Sequence, residues 1–310
     1  MIDVANLKAV KAAENFLRKT YFFNTTVSLY LVLSILWKKI ITLDIDQRAA
    51  AVSFSFMLAV FPGIIFLFTL IPFIPIDNLD GRIMDYLREI FPRRIYSTVA
   101  STIQEIVSRK RSGILSFGFL FTIFASTNGM MALMRAFNIV LNEKEKRNFF
   151  KARFLSLTLT VLLVMLLVSA VVILIVGNLL INFLFENGVL DENVLYYLLE
   201  IVRYLSIFFI FSLGIGVIYY FGPAVQKRIP LISAGSIFAS IMCILITNAF
   251  SFYLVNFASY NRLYGSIGTF IGLMVWIYLI SLIIILGFEV NISVRDAVEK
   301  EALKLEDSKK

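Results

Sequence analysis

One block of sequence limits what this chain can fold into more than any other. From Phe154 to Ile181 it reads FLSLTLTVLLVMLLVSAVVILIVGNLLI, with no charged side chain. About 20 apolar residues in a helix cross the roughly 30 Å hydrocarbon core of a bilayer, so this block spans one with residues to spare. A soluble fold would have to hide it, along with thirty Phe and thirteen Tyr, inside 310 residues. Only 16% of the chain is charged, against roughly 25% in an ordinary soluble domain. In lipid the backbone must satisfy its own hydrogen bonds, which leaves helices or closed barrels, and long unbroken apolar runs lack the alternation of barrel strands. The expectation is an all-α, polytopic membrane helical bundle. Six transmembrane helices are placed near 47–75, 112–138, 154–184, 195–221, 231–258 and 267–292, with amphipathic interfacial helices added.

Orientation follows from where Lys and Arg fall. Residues 1–48 carry seven, 139–153 five, 222–230 two and the tail from 293 five. The alternate connections are poor in them: 185–196 has none and 259–266 only Arg262. Both termini are therefore expected in the cytoplasm. Residues 76–111 dissent, with seven basic residues in a connection expected outside. Ile83, Leu87, Ile90, Phe91, Ile95, Val99, Ile103 and Ile106 recur there near helical spacing, which predicts two external amphipathic helices broken near Pro92. A soluble loop is the alternative.

Three parts result: cytoplasmic or interfacial helices over 1–46, a membrane domain over 47–292, and a charged cytoplasmic tail over 293–310. The run from Thr25 to Trp37, followed by Lys38 and Lys39, gives only about 20 Å of helix, too short to cross. It is expected to lie at the interface; crossing would make seven spans and an external N-terminus. The N-terminus lacks a secretory signal's continuous apolar core, so insertion through the first span is expected. Pro62, Pro72 and Pro75 predict a kink or break there, because proline removes a backbone donor and clashes with the preceding turn.

Three stretches carry a family resemblance. They are AAAVSFSFMLAVFPGIIFLF at 49–68, ASTNGMMALMRAFNIVLNEKEKRNFFKARFLSL at 125–157, and YNRLYGSIGTFIGLMVWIYLISLIIILGFEVN at 260–291, which ends in Gly-x-Glu-x-Asn. In this order and spacing the chain resembles the YihY/BrkB family of bacterial inner-membrane proteins over roughly 45–295. The resemblance implies a six-span helical fold and associations with envelope integrity, serum resistance and lipid transport. It also brings an older label, ribonuclease BN.

The residue inventory weighs against that label. The chain has no histidine and one cysteine, Cys243. Histidine metal sites, Ser-His or Cys-His nucleophiles and intramolecular disulfides are thereby excluded. A metal-dependent nuclease needs clustered ligands, and the acids lie mostly in connections. No metal or other cofactor is expected, and no catalytic residue is assigned. Nor is there a Gly-rich phosphate loop that would point to ATP. The net charge of +8 is explained by the positive-inside bias and does not imply nucleic-acid binding.

Charge within the spans is scarce and so informative. With Arg48 counted in the N-terminal segment, the exceptions are Arg135, Glu200, Arg203 and Glu289. Arg135 and Glu289 sit at similar depth near the inner ends of spans two and six, so they are expected to pair; snorkelling to headgroups is the alternative. Glu200 and Arg203, at i and i+3, suit a local pair or an anion contact. Asn128, Asn138, Asn178, Asn182, Asn248, Ser251 and Asn256 lie at span depth, either as interhelical glue or as a polar path. Gly265, Gly268 and Gly272 form a small-residue stripe for close packing or a hinge. Trp276 and Tyr278 are expected to face protein. Lys144, Lys146, Arg147, Lys151 and Arg153 form a basic cluster that sets topology or contacts anionic lipid headgroups.

Three function classes fit. The first is a transporter or lipid-translocating protein, with membrane lipids as partner or substrate, and it predicts a lateral or central polar cavity containing Arg135 or Glu289. The second, a non-transporting envelope or assembly factor, predicts a filled bundle. The third is a membrane enzyme working through carboxylate, Tyr or Arg. Substrate, energy source and oligomeric state are not legible.

Overall fold

The computed structural model describes residues 8–21, 27–70, 81, 84, 100, 112–141, 145–186, 192–224, 229–256 and 266–307. Eight helices are described: α1 (Lys8–Lys19), α2 (Leu29–Thr42), α3 (Ile45–Leu70), α4 (Ser112–Val140), α5 (Phe149–Glu186), α6 (Glu192–Phe221), α7 (Ala234–Asn256) and α8 (Ser266–Asp307). The fold is a polytopic helical membrane bundle. Stretches of α4 to α8 are long and apolar enough to cross a bilayer, five candidate spans in all. The expected first span corresponds to α3, which runs 26 residues. The segment 76–111, apart from three isolated positions, falls outside the described residues.

Of the kink or break expected from Pro62, Pro72 and Pro75, no break occurs at Pro62, and Pro72 and Pro75 lie outside the described residues. Assigned helix continues through Pro62 to Leu70. A proline inside a helix deprives the carbonyl four residues earlier of its donor, here that of Leu58, yet the flanking apolar residues keep the helical path. α8 also departs from expectation by running 42 residues to Asp307, so the charged tail continues the last span as one helix.

Each helix from α3 onward packs against the next, and α8 returns to lie against α3 and α4, closing the order. α2 rests on α8. Its 14 residues make about 21 Å of helix, short of the hydrocarbon thickness. Val32 and Ile35 of α2 pack against Val294 and Ala297 of α8, and Lys39 Nζ meets Asp296 Oδ2 at 2.6 Å.

The core is gathered at one end of the bundle. Its residues come from the start of α3 (Ile45, Ala49, Val52), the end of α4 (Met130 to Val140), the start of α5 (Leu159), the end of α6 (Ile215 to Tyr219), the start of α7 (Ala239, Cys243) and the middle of α8 (Ile283 to Ile292), where its apolar span ends. Successive helices run in opposite directions, so all these segments meet at the end that also bears the basic connections. Its centre is an aromatic cluster: Phe137 stacks on Phe288 with centroids 4.3 Å apart, and Tyr219 meets them edge-on at 5.6 and 5.5 Å. Tyr219 donates its hydroxyl hydrogen to the Ile284 carbonyl at 2.6 Å, which satisfies the polar tip of a buried ring. Towards the far end the helices present exposed apolar side chains, among them Val164, Met165, Val168 and Val172 of α5 and Tyr204, Leu205 and Phe209 of α6. Hydrocarbon is the solvent such faces fit.

Backbones approach closely where α7 meets α8. A Cβ on Gly235 would stand 1.9 Å from the Gly287 carbonyl oxygen, and one on Gly287 would stand 2.7 Å from the Gly235 carbonyl oxygen. Both neighbours are backbone, so neither side can yield. Gly272 also packs on α7, with Phe250 and Tyr253 atoms 3.3 Å from its would-be Cβ. Gly287→Val is expected to cost at least the ~1–3 kcal/mol typical of overpacking, seen as lost monodisperse protein or a lower unfolding temperature in detergent. Gly177→Ala, with nothing within 4 Å of its would-be Cβ, should leave both unchanged.

Candidate functional site

The basic end holds a buried ion pair. α2 turns into α3 through Asp44, whose positive φ of 43° is a conformation that Asp tolerates better than most residues. That turn sets Arg48 one helical turn into α3, its N–H on the Asp44 carbonyl at 3.2 Å. Arg48 Nη2 contacts Glu289 Oε1 of α8 at 3.4 Å, and Nη1 donates to the Ala136 carbonyl of α4 at 3.2 Å. Arg48 is 9% exposed and Glu289 0%. One guanidinium thus ties three helices together. The pair is incompletely satisfied, since Arg48 Nε and Glu289 Oε2 have no hydrogen-bond partner.

The expected Arg135–Glu289 pair is not formed; Arg48 occupies that role. The reason is helix geometry. Consecutive residues stand about 100° apart around a helix, so when the Ala136 carbonyl segment faces α3 and α8, Arg135 is turned away. Sequence reasoning missed Arg48 because it lies at the margin of the first apolar block, where a charge reads as part of the flanking segment. The one available signal was spacing: Ile45, Ala49 and Val52 put a buried stripe beside it.

The connections at this end are braced by other expected site residues. Asn138 is buried; its Nδ2 donates to Glu145 Oε2 at 3.0 Å and its Oδ1 accepts the Ala224 N–H at 2.8 Å. Arg147 Nη2 donates to the Pro223 carbonyl at 2.6 Å and Nη1 to the Gly222 carbonyl at 3.1 Å. A cation there complements the unpaired carbonyls at the end of α6. Asn291 of α8 accepts from Gly235 N–H at 2.7 Å and donates to Ser233 Oγ at 2.9 Å, fixing the first turn of α7. The Gly-x-Glu-x-Asn run therefore has three separate tasks: Gly287 admits the α7 backbone, Glu289 meets Arg48, and Asn291 holds the start of α7.

A groove of about 800 Å³ lies between α3 and α4. α3 supplies Ser55, Leu58, Phe61 and Pro62; α4 supplies a stripe running from Phe117 through Phe121, Phe124 and Asn128 to Arg135. This is the face of α4 turned away from Phe137. Arg135 and Asn128 are exposed, and Arg135 makes no hydrogen bond or ion pair within the described residues. Arg153 of α5 reaches in from the side, donating to Asn128 Oδ1 at 2.5 Å and to the Phe124 carbonyl at 3.2 Å, with its guanidinium 4.3 Å from the Phe124 ring centroid. Arg153 Nη1 also meets Met131 Sδ at 3.3 Å, one helical turn before Arg135 on the same groove face.

The remaining expected residues lie elsewhere. Asn248 and Ser251 are exposed on α7 and join neither the ion pair nor the groove. Arg203 places its guanidinium 5.3 Å from the Tyr204 ring centroid. Glu200 and Gly268 belong to α6 and α8 by backbone, while the side chains of Glu200, Asn178, Asn182 and Asn256 fall outside the described residues, as do Gly265 and Lys144 altogether. Lys146 and Lys151 are exposed on the basic end. Trp276 does face protein: its Nε1 donates to Thr247 Oγ1 at 3.4 Å and its ring stacks on Phe250.

Fold and sites together define a polytopic α-helical membrane protein with a clamped basic end and a lateral groove. The chain belongs to the family described as virulence factor BrkB, whose profile matches residues 36–310. It is 30% identical over 250 residues to a Bacillus subtilis protein named ribonuclease-like protein YfkH, covering 79% of this chain and 88% of that one. It is 26% identical over 277 residues to a UPF0761 membrane protein of Aggregatibacter aphrophilus, covering 88% and 95%. A Haemophilus influenzae UPF0761 membrane protein matches at 24% over 255 residues, covering 81% and 90%. No solved structure matches.

The ion pair makes a clear forecast. Arg48→Leu leaves Glu289 as a buried uncompensated charge and should lower stability by about 3–5 kcal/mol. Glu289→Leu should do the same to Arg48, and Arg48→Leu/Glu289→Leu together should recover most of the loss. Thermal unfolding of the three variants in detergent, followed by size exclusion, checks the cycle; simple additivity would contradict the pairing.

Proposed function

We propose that this chain is a lipid-translocating protein of a bacterial inner membrane, with the basic end in the cytoplasm. The observation that carries the reading is Arg135, a cation in a lateral groove with no ion pair among the described residues. A cation within a membrane span marks a partner or a pathway unless it escapes to the headgroups. From Arg135 to Phe117 the stripe rises about 27 Å, close to the hydrocarbon thickness of roughly 30 Å, so a molecule held along it stays beside a protein surface over most of the crossing. The orientation rests on the Lys and Arg bias of the connections and places both termini inside.

The ribonuclease-like name belongs to the Bacillus subtilis relative. In this chain histidine is absent, and among the described residues no group of three or more Cys, Asp or Glu could hold a metal ion. A non-transporting assembly role draws support from a different observation: the Phe137–Tyr219–Phe288 cluster fills the basic end, which puts any route on the bundle's flank.

Purified protein in liposomes, with a fluorescent phospholipid in one leaflet, provides the test. Wild type should speed exchange between leaflets. Leu58→Trp, which places bulk in the groove, and Arg135→Ala should slow it. Folded wild-type protein that moves no lipid beside an active scramblase control overturns autonomous translocation and favours the assembly role.

A further inference from the structure

We infer that Arg135, with Arg153 and Asn128 beside it, is a seat for the phosphate of an anionic phospholipid whose acyl chain lies on the aromatic stripe of α4. The inference rests on the groove reading above and deepens it by naming the ligand class.

The argument starts from direction. Side chains on a helix lean toward its N-terminus. The N-terminus of α4 is at the far end of the bundle, so Arg135, five residues before the last residue of α4, leans inward over Met131 and Asn128. Snorkelling to the basic end would require the opposite direction. Its reach takes it toward Arg153, which is fixed by Asn128 Oδ1, the Phe124 carbonyl and the Phe124 ring. Two guanidiniums then meet one groove, Arg135 lining it and Arg153 reaching its Asn128 and Met131 from α5, and no carboxylate lines it among the described residues.

Like charges in a weakly polar setting repel, and an anion between them reverses the sign of that interaction. Guanidinium matches phosphate by paired N–H donors. The rest of the groove selects the remainder of the ligand. Phe117, Phe121, Phe124, Leu58 and Phe61 give a wall for hydrocarbon, and the groove opens sideways, so chains that exceed its volume can continue into the bilayer. A free phosphate would satisfy the cations and leave that wall unused; a neutral lipid would do the reverse. An anionic phospholipid satisfies both.

Native mass spectrometry of the purified full chain provides the test, with phosphatidylglycerol, phosphatidylcholine and glycerol 3-phosphate as probes. Phosphatidylglycerol should be retained most strongly. Arg135→Gln should weaken it about fivefold, the worth of one basic contact near a membrane surface. Arg135→Lys should fall between, and Phe121→Ala should weaken retention without changing the preference for anionic lipid. Lys304→Gln, an exposed basic residue on the tail of α8 and outside the groove, should match wild type. Equal retention of phosphatidylglycerol by wild type and a monodisperse Arg135→Gln overturns the seat. So does displacement of the lipid by glycerol 3-phosphate at matching concentration, which would indicate a soluble-anion site. Retention that depends on Arg135 without any lipid movement in liposomes would leave the seat standing while translocation fails.

Discussion

The Arg48–Glu289 contact is the constraint around which the basic end is arranged. It brings the start of α3 to the middle of α8, and through the Ala136 carbonyl to the end of α4. These helices are distant in sequence, so no local preference would bring them together. A buried charge pair is a poor source of net stability. It is effective at choosing one register, because every displaced arrangement leaves a full charge unpaired in an apolar setting. Around this point the aromatic cluster joins α4, α6 and α8, the Asn291 side chain holds the start of α7, and Arg147 caps the end of α6.

This arrangement divides the molecule. The basic end is filled and cross-tied, while the far ends expose Val, Phe, Leu and Tyr to their surroundings. The groove between α3 and α4 joins the two regions: Arg135 and Asn128 stand near its clamped end and Phe117 near its open one. Pro62 matters in this place. Leu58, whose carbonyl it leaves without the usual intrahelical donor, lines the same groove as Pro62 itself, so a backbone acceptor is released beside an otherwise apolar wall.

Much of the architecture was legible because the bilayer imposes a length. The apolar blocks gave α4, α5, α6 and α7 to within a few residues, since hydrocarbon thickness and helix rise leave little choice. The membrane-spanning first part of α8 was equally plain, but its continuation to Asp307 was not: charge ends a span without ending a helix. The site was legible in part. Arg135, Asn128 and Glu289 stood out as polar groups among apolar ones. Their partners did not, because depth along a helix can be counted from sequence while azimuth depends on which neighbours close the bundle. That is why Glu289 found Arg48, and why Arg135, one residue from the carbonyl that holds Arg48, faces the other way. Arg153 looked like part of a topology signal, yet it reaches into the groove from the start of α5.

The most direct test of this account is an experimental structure of the full chain in nanodiscs containing phosphatidylglycerol. The account predicts an ordered lipid along α4, with its phosphate within hydrogen-bond reach of Arg135 and Arg153 and a chain against Phe121 and Phe124. A groove closed by protein side chains, with Arg135 paired to a carboxylate of the same chain, would contradict it.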